Sequence, residues 1–388
     1  MKTEKGNRLF HKIDRWVGIP IVLMLSLFKR KFKKLPLPES PAFAILNLVS
    51  IGDNVVMSAV INDIRCQYPN SLITAFTGST NYEIVKLIPG FDNIVKMSVT
   101  NVMASYKLIK KSGYFDVLID FGSWPRLNAI YSFFFKAHQK IGFKTPKQFR
   151  HFVYDIKINY SSEIHEINNF RNLISGFYTG KPHNQSLSII PTNNSRNLIK
   201  TLGNYCVIHP WPSGYKSYMK EWPTNYWINL VTKIDTYFDN IVITGAPANN
   251  EQSEKLFILA KKNNRVSLVN LSGTINIQEL VHLISASELI ISVNTGVAHI
   301  AAALDKQQIC LHGPTNILRW GPVSKNTISI KPSSGTFGYL NFGFEYHKAN
   351  GSSCMENISV ETVYNIIKEL QSKRDEFKYT HSQVIENK

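Results

Sequence analysis

The residues of this chain best suited to chemistry on a phosphorylated substrate are Asn294-Thr295-Gly296-Val297-Ala298-His299. They follow the apolar run Leu289-Ile290-Ile291-Ser292-Val293 and lead through an Ala-rich stretch to Gly313-Pro314-Thr315. An apolar run, a polar turn containing glycine and a small-residue stretch predict a buried strand that delivers its C-terminal end onto a helix N-terminus. The first helical N–H groups there lack intrahelical partners and the helix dipole is positive, so the turn is an anion site. Thr295, Gly296 and Val297 would offer a hydroxyl and backbone N–H groups to the diphosphate of a nucleotide-sugar, with Gly296 allowing close approach. His299, one turn further on, either donates to a phosphate or is a structural histidine.

A second candidate lies in Ser50-Ile51-Gly52-Asp53-Asn54, which follows the apolar stretch 42–49. Displacement of a diphosphate by a hydroxyl needs a base to take the hydroxyl proton as the oxygen attacks from the face opposite the leaving group. Asp53, beside Gly52 at the end of a strand, stands where such a base would be. An Asp after Gly is also a common helix N-cap.

The elements that must position these groups alternate regularly. Strands are predicted over 42–49, 72–77, 93–97, 116–121 and 138–143, with helices over 55–66, 81–88, 102–111 and 124–135. The last of these helices is aromatic-rich and is read as core, with a face toward an acyl or sugar-rich acceptor as the alternative. After a helical stretch over 164–178, the polar segment 181–195 reads as an interdomain connection. The pattern then repeats, with strands over 205–209, 241–244, 266–271, 289–293 and 308–311. Helices are predicted over 226–238, 250–261, 277–285 and 358–370, the first opened by Trp222-Pro223-Thr224. Strand, glycine turn and helix repeated in this way predict an α/β fold of two Rossmann-like doubly wound domains with a cleft at the C-terminal ends of their strands. The expected organisation is a leader over 1–40, an N-terminal acceptor domain with its connection over 41–190, a C-terminal donor domain over 191–372 and a polar tail over 373–388.

Bulk properties agree. A chain of 388 residues is longer than one core usually serves, and 44% apolar with 12% aromatic residues excludes a disordered chain. The net charge of +17 implies an anionic partner. Cys66, Cys206, Cys310 and Cys354 form no CxxC pair, so neither a zinc site nor a disulfide framework is indicated, and a reducing cytosol is expected.

The leader stands apart. Lys2, Lys5, Arg8, Lys12 and Arg15 precede the apolar run 16–28, and Lys29, Arg30, Lys31, Lys33 and Lys34 follow it. Thirteen helical residues reach about 20 Å against a hydrocarbon core of roughly 30 Å, so they do not span a bilayer. No small-residue cleavage site follows, which argues against an export signal. An interfacial helix drawn to anionic lipid is the expectation, with a helix packed on its own protein as the alternative. Pro36, Pro38 and Pro41 then form a linker.

Taken together, Ser50-Ile51-Gly52-Asp53 with Ser58, Lys220-Glu221-Trp222-Pro223, the turn 294–299, Gly313-Pro314-Thr315 to Trp320-Gly321-Pro322 and Cys354-Met355 resemble the signatures of glycosyltransferase family 9, the bacterial heptosyltransferases of the lipopolysaccharide inner core. The resemblance covers residues 42–370. It implies a GT-B fold, with the donor bound mainly by the second domain and the acceptor by the first, and inverting transfer without a metal or other cofactor. It makes Asp53 the catalytic base and Lys220 a contact to the leaving diphosphate. Lys216, Gly52, Ser213 and Gly214 become possible donor or acceptor contacts. Three departures bear on the donor. Asn294 stands where the family commonly has Asp, Ala59 replaces a frequent proline, and the loop 209–220 is longer than usual.

The sequence therefore predicts an enzyme that moves heptose from ADP-heptose to an anionic, lipid-anchored oligosaccharide acceptor. It would work as a peripheral protein on the cytoplasmic face of a Gram-negative inner membrane, with no nucleic-acid partner. A different nucleotide-sugar donor, or a non-catalytic basic binding protein on the same fold, are the alternatives.

Overall fold

The strands at the centre of this protein are apolar nearly throughout, as parallel strands covered on both faces must be. Phe43–Asn47, Tyr205–His209 and Leu289–Val293 are buried at every position. The computed structural model describes residues 8–29, 32–33, 36–48, 50–262, 267–342, 345 and 353–386. Lys2, Lys5, Arg30, Lys31 and Lys34 of the leader, and Val49 and Val266 of the predicted strands, lie outside the described residues.

Contacts divide the chain into two compact units, residues 1–190 with 318–320, and residues 191–317 with 321–388. The first holds strands β1 Phe43–Asn47, β2 Ile73–Gly78, β3 Asn93–Met97, β4 Tyr114–Asp120, β5 Lys136–Lys144 and β6 Ile156–Asn159. Its helices are α1 Arg8–Trp16, α2 Gly18–Leu27, α3 Ile51–Gln67, α4 Tyr82–Val85, α5 Val102–Lys111, α6 Arg126–Phe134 and α7 Glu166–Asn172. The second holds β7 Tyr205–His209, β8 Asn240–Ile243, β9 Ser267–Asn270, β10 Leu289–Val293, β11 Gln308–Leu311 and β12 Thr327–Ile330. Its helices are α8 Asn193–Leu202, α9 Thr224–Lys233, α10 Asn250–Lys261, α11 Ile277–Ala286, α12 Gly296–Ala303, α13 Ile317–Trp320, whose last three residues cluster with the first unit, and α14 Val360–Glu386.

Each unit carries one parallel six-stranded sheet, ordered β3-β2-β1-β4-β5-β6 in the first and β9-β8-β7-β10-β11-β12 in the second. Both are doubly wound α/β sheets whose strand order reverses once, between β1 and β4 and between β7 and β10. Ligands in such sheets bind outside the carboxyl ends of the strands at that reversal.

The structure alters several expected boundaries. β6, β12 and α8 occur where none was predicted, and the segment expected as a polar tail continues α14 to Glu386. The leader forms two helices rather than one and packs on its own unit. Val22 and Leu25 are buried against Ala129, Val153 and Tyr154. Asp14 accepts the backbone N–H groups of Arg126 at 2.8 Å and Leu127 at 3.1 Å and pairs with the Arg126 guanidinium at 2.9 Å. It thereby supplies the start of α6 with the anion that Pro125 cannot offer. Lys29 pairs with Asp155 at 3.3 Å. The other face of the leader points outward, with Trp16 74%, Leu27 82% and Phe28 73% exposed. None of the described helices is long and apolar enough to cross a membrane.

Candidate active site

In the first unit the loop after β1 delivers Asp53. Ser50, at φ 73°, turns the chain into α3 and takes the N-cap position, its hydroxyl accepting the Asp53 N–H at 3.5 Å. The cap role that Asp53 could have filled therefore belongs to Ser50. Asn54 donates its side-chain amide to the Ser50 carbonyl at 2.7 Å and fixes the turn. Asp53 is left half-buried in the first helical turn, where the dipole favours its charge, and Gly52 is buried beside it. Further along α3, buried Asp63 binds Arg171 at 3.1 Å and the His183 N–H at 2.7 Å, and the Ser58 hydroxyl accepts the Ser186 N–H at 3.0 Å. The helix that carries Asp53 is thus held against the rest of its unit.

A buried charged cluster that sequence reasoning missed lies within electrostatic reach of Asp53. The Glu166 carboxylate accepts the Tyr160 hydroxyl, 3.0 Å from each oxygen, and Arg319 Nη2 at 2.6 Å; Arg319 also donates to the Tyr160 oxygen. Burial, opposed by Arg319 and reinforced by the charge of Asp53, pushes the Glu166 carboxyl up to about 7. Asp53 acts in the same sense on Tyr160, whose hydroxyl burial holds well above its ordinary range.

In the second unit two loops leave the carboxyl ends of the adjacent strands β7 and β10. The loop after β7 carries Ser213, Gly214, Lys216 and Lys220. Lys220 donates to the Ser213 carbonyl at 3.1 Å, which closes the loop, with Gly214 at φ 99° and Lys216 at φ 50° making its turns. Trp222 anchors the far end, buried, its indole N–H on the Ile358 carbonyl at 2.9 Å and its ring 4.9 Å from Trp227.

The loop after β10 is the predicted strand-to-helix turn. Thr295 caps α12 and its hydroxyl accepts the Val297 N–H at 3.2 Å, so that N–H already has a partner and the Thr295 hydroxyl is engaged. Gly296 is half-buried and His299 is buried one turn in. Asn294 donates to His312 Nδ1 at 3.0 Å and to the Thr315 hydroxyl at 3.2 Å. With Nδ1 accepting, the His312 proton sits on Nε2. Burial, with His299 nearby, pulls His312 down to about 3 and keeps it neutral. A neutral amide therefore fits opposite His312, where a carboxylate would need a proton on Nδ1.

The remaining block residues position these loops. A Cβ on Gly313 would stand 2.3 Å from the Met355 sulfur and 3.4 Å from that of Cys354, so glycine and the Cys354-Met355 pair fit together. Thr315 and Arg319 lie in the stretch that the sequence singled out as a block and His312 immediately precedes it; their roles became visible only through their tertiary partners. Gly52 and Asp53 belong to one unit, and Ser213, Gly214, Lys216, Lys220, Asn294, Thr295, Gly296, Val297 and His299 to the other.

A family model described as glycosyltransferase family 9 (heptosyltransferase) matches residues 108–336. The chain is 25% identical over 350 residues to the lipopolysaccharide core heptosyltransferase OpsX of Haemophilus influenzae, covering 86% of this chain and 98% of that protein. Among solved structures, the family 9 glycosyl transferase from Veillonella parvula superposes with a TM-score of 0.70 at 16% identity, covering 86% of this chain and 97% of its own. The Escherichia coli heptosyltransferase WaaC with ADP superposes at 0.67 and 17% identity, covering 84% and 99%. At these identities the structures establish the shared fold, GT-B.

Proposed function

Because the chain belongs to glycosyltransferase family 9 and is a glycosyltransferase, we propose that it moves heptose from ADP-heptose to a lipopolysaccharide core acceptor with inversion at the anomeric carbon. Asp53 accepts the proton of the acceptor hydroxyl as the hydroxyl oxygen bonds to the anomeric carbon. The bond from that carbon to the diphosphate breaks, and ADP leaves with the electron pair. Lys220 and the Asn294–His299 turn stabilise the leaving diphosphate in place of a metal, with Gly296 admitting the phosphates to the backbone of α12. Ser213, Gly214 and Lys216 line the donor loop.

The observation that carries this reading is one of topology. The loops bearing Asp53, Lys220 and Asn294–His299 all leave strands at the strand-order reversals of the two sheets, where doubly wound folds bind nucleotides. The acceptor is lipid-anchored and anionic, which fits the charge of +17. The enzyme sits peripherally at the cytoplasmic face of the inner membrane, with the exposed apolar face of α1 and α2 resting in the lipid headgroups. Asn294 is the residue at which a different nucleotide-sugar preference would arise, since it removes a charge from the donor site.

Purified protein given ADP-heptose and core acceptor should release ADP, with the rate unchanged by EDTA. Equal release with a UDP-sugar would reject the donor, and loss of activity in EDTA would reject metal independence.

A further inference from the structure

We propose that Glu166, held by Tyr160 and Arg319, is a positioning residue that strengthens Asp53 as the catalytic base. The inference rests on the reading of Asp53 as the base and deepens it.

Buried Glu166 and half-buried Asp53 are within electrostatic reach of each other on the packed helices α7 and α3, which the Asp63–Arg171 pair holds together. Two such carboxylates repel, and the repulsion vanishes when either takes a proton. Glu166 is 3% exposed and its oxygens are occupied by Tyr160, Arg319 and the Asn169 amide at 3.3 Å, so the acceptor's proton goes to half-buried Asp53. An ionised Glu166 disfavours ionised Asp53, and the penalty is relieved as the acceptor hydroxyl gives up its proton. Asp53 is then neutral, the new glycosidic bond is formed and ADP has left; Glu166 itself exchanges no proton in the step. Arg319 allows both carboxylates to be charged before the reaction. Its side chain is 1% exposed and lies 5.1 Å over the Tyr160 ring and 4.2 Å over Trp320.

Among the described residues, the groups that bear on Glu166 come from several elements. Tyr160 comes from the chain after β6, Arg319 from α13, Asp53 from α3, and Asn169 from α7 itself, with Ser123 reaching Tyr160. The neighbouring His165 is engaged in capping the Ile167 N–H at 3.1 Å. Asp63 and Arg171, further along α3 and α7, neutralise each other at 3.1 Å. Among the described residues, Arg319 and Asp53 are the charges that bear on Glu166, and burial holds its carboxyl up at about 7.

The test is the pH profile of kcat/KM, from pH 5.5 to 8.5, for wild type, Glu166→Gln, Glu166→Asp and Asp53→Asn, with folding followed by thermal melts. Wild type should gain on the order of threefold as Glu166 ionises, by Brønsted behaviour of the base. Acceptor phosphates titrate equally with every variant, so the differences between variants are what is read. Glu166→Gln should lack the step and stay at the low-pH level, while Glu166→Asp should retain the step at a shifted pH. A Glu166→Gln profile parallel to wild type overturns the inference, as does an unshifted Glu166→Asp profile if the glutamine variant does not fold. Wild-type turnover by Asp53→Asn instead rejects the reading of Asp53 itself.

Discussion

Replacing Trp16, Leu27 and Phe28 together by serine should release the protein from anionic bilayers without unfolding it. These side chains are 74%, 82% and 73% exposed, while Val22 and Leu25, which hold the leader to its unit, are untouched. Full burial of a large apolar side chain contributes about 1.5–3 kcal/mol, so three that are mostly exposed could contribute about 3–6 kcal/mol if all inserted. At half insertion the loss is about 1.5–3 kcal/mol, or a partition coefficient lowered by roughly 10- to 150-fold. Exposed Lys12, Arg15 and Lys33 add roughly 1 kcal/mol each on anionic lipid, an attraction that salt screens. Flotation with phosphatidylglycerol-containing and purely zwitterionic vesicles, at low and high salt, separates the two contributions. Wild type should float with the anionic vesicles and retain part of its binding in high salt; the triple variant should lose that salt-resistant part. Equal flotation of the two proteins would refute the reasoning, as would a wild type that stays at the bottom.

Three further outcomes follow from the packing and titration of the two units. Asn294→Asp should place a carboxylate on His312 Nδ1 and raise the His312 pKa from about 3 by at least about one unit, read by NMR titration of the imidazole; an unmoved resonance would contradict the Asn294–His312 contact. Trp222→Ala should cost about 3–5 kcal/mol in a denaturant titration, since it removes a buried ring and leaves the Ile358 carbonyl without its donor; a loss below about 1 kcal/mol would show that Trp222 does not anchor the Lys220 block. Stability should also depend on pH from both sides. His209 and His312 are held neutral, with pKa values lowered to about 4 and about 3, so the unfolded chain binds more protons below about pH 6.5 and stability falls as pH drops. Glu166, raised to about 7, acts oppositely: its proton favours the folded state, and that contribution is lost as pH rises from the ordinary carboxylate range through 7. The Tm of Glu166→Gln relative to wild type should therefore rise between pH 5 and pH 8, and a constant difference would contradict the shift.

The parts legible in the sequence were those where local pattern and burial agree. Leu289–Val293 followed by Asn294-Thr295-Gly296 reads as strand, cap and helix because a central parallel strand is apolar on both faces and the cap is chemically distinct. The edge strands β6 and β12 escaped because they are short and only partly buried, so no continuous apolar run marks them. The Glu166–Tyr160–Arg319 cluster escaped for a different reason. Tyr160 and Arg319 are 159 residues apart, and no spacing rule pairs them. The leader was legible in composition but not in geometry, since its division into two helices and its docking depend on Asp14 finding the start of α6. Asn294 was visible as a departure from the family, and its reason, a neutral histidine opposite, became visible only in the fold.

The most direct test of the account is ADP release from ADP-heptose in the presence of core acceptor, measured for wild type and Asp53→Asn alongside ADP binding to each. Wild type should turn over, and Asp53→Asn should bind ADP with unchanged affinity while turnover is abolished. ADP release by Asp53→Asn at the wild-type rate would contradict the assignment of the base, and with it the reading of the site.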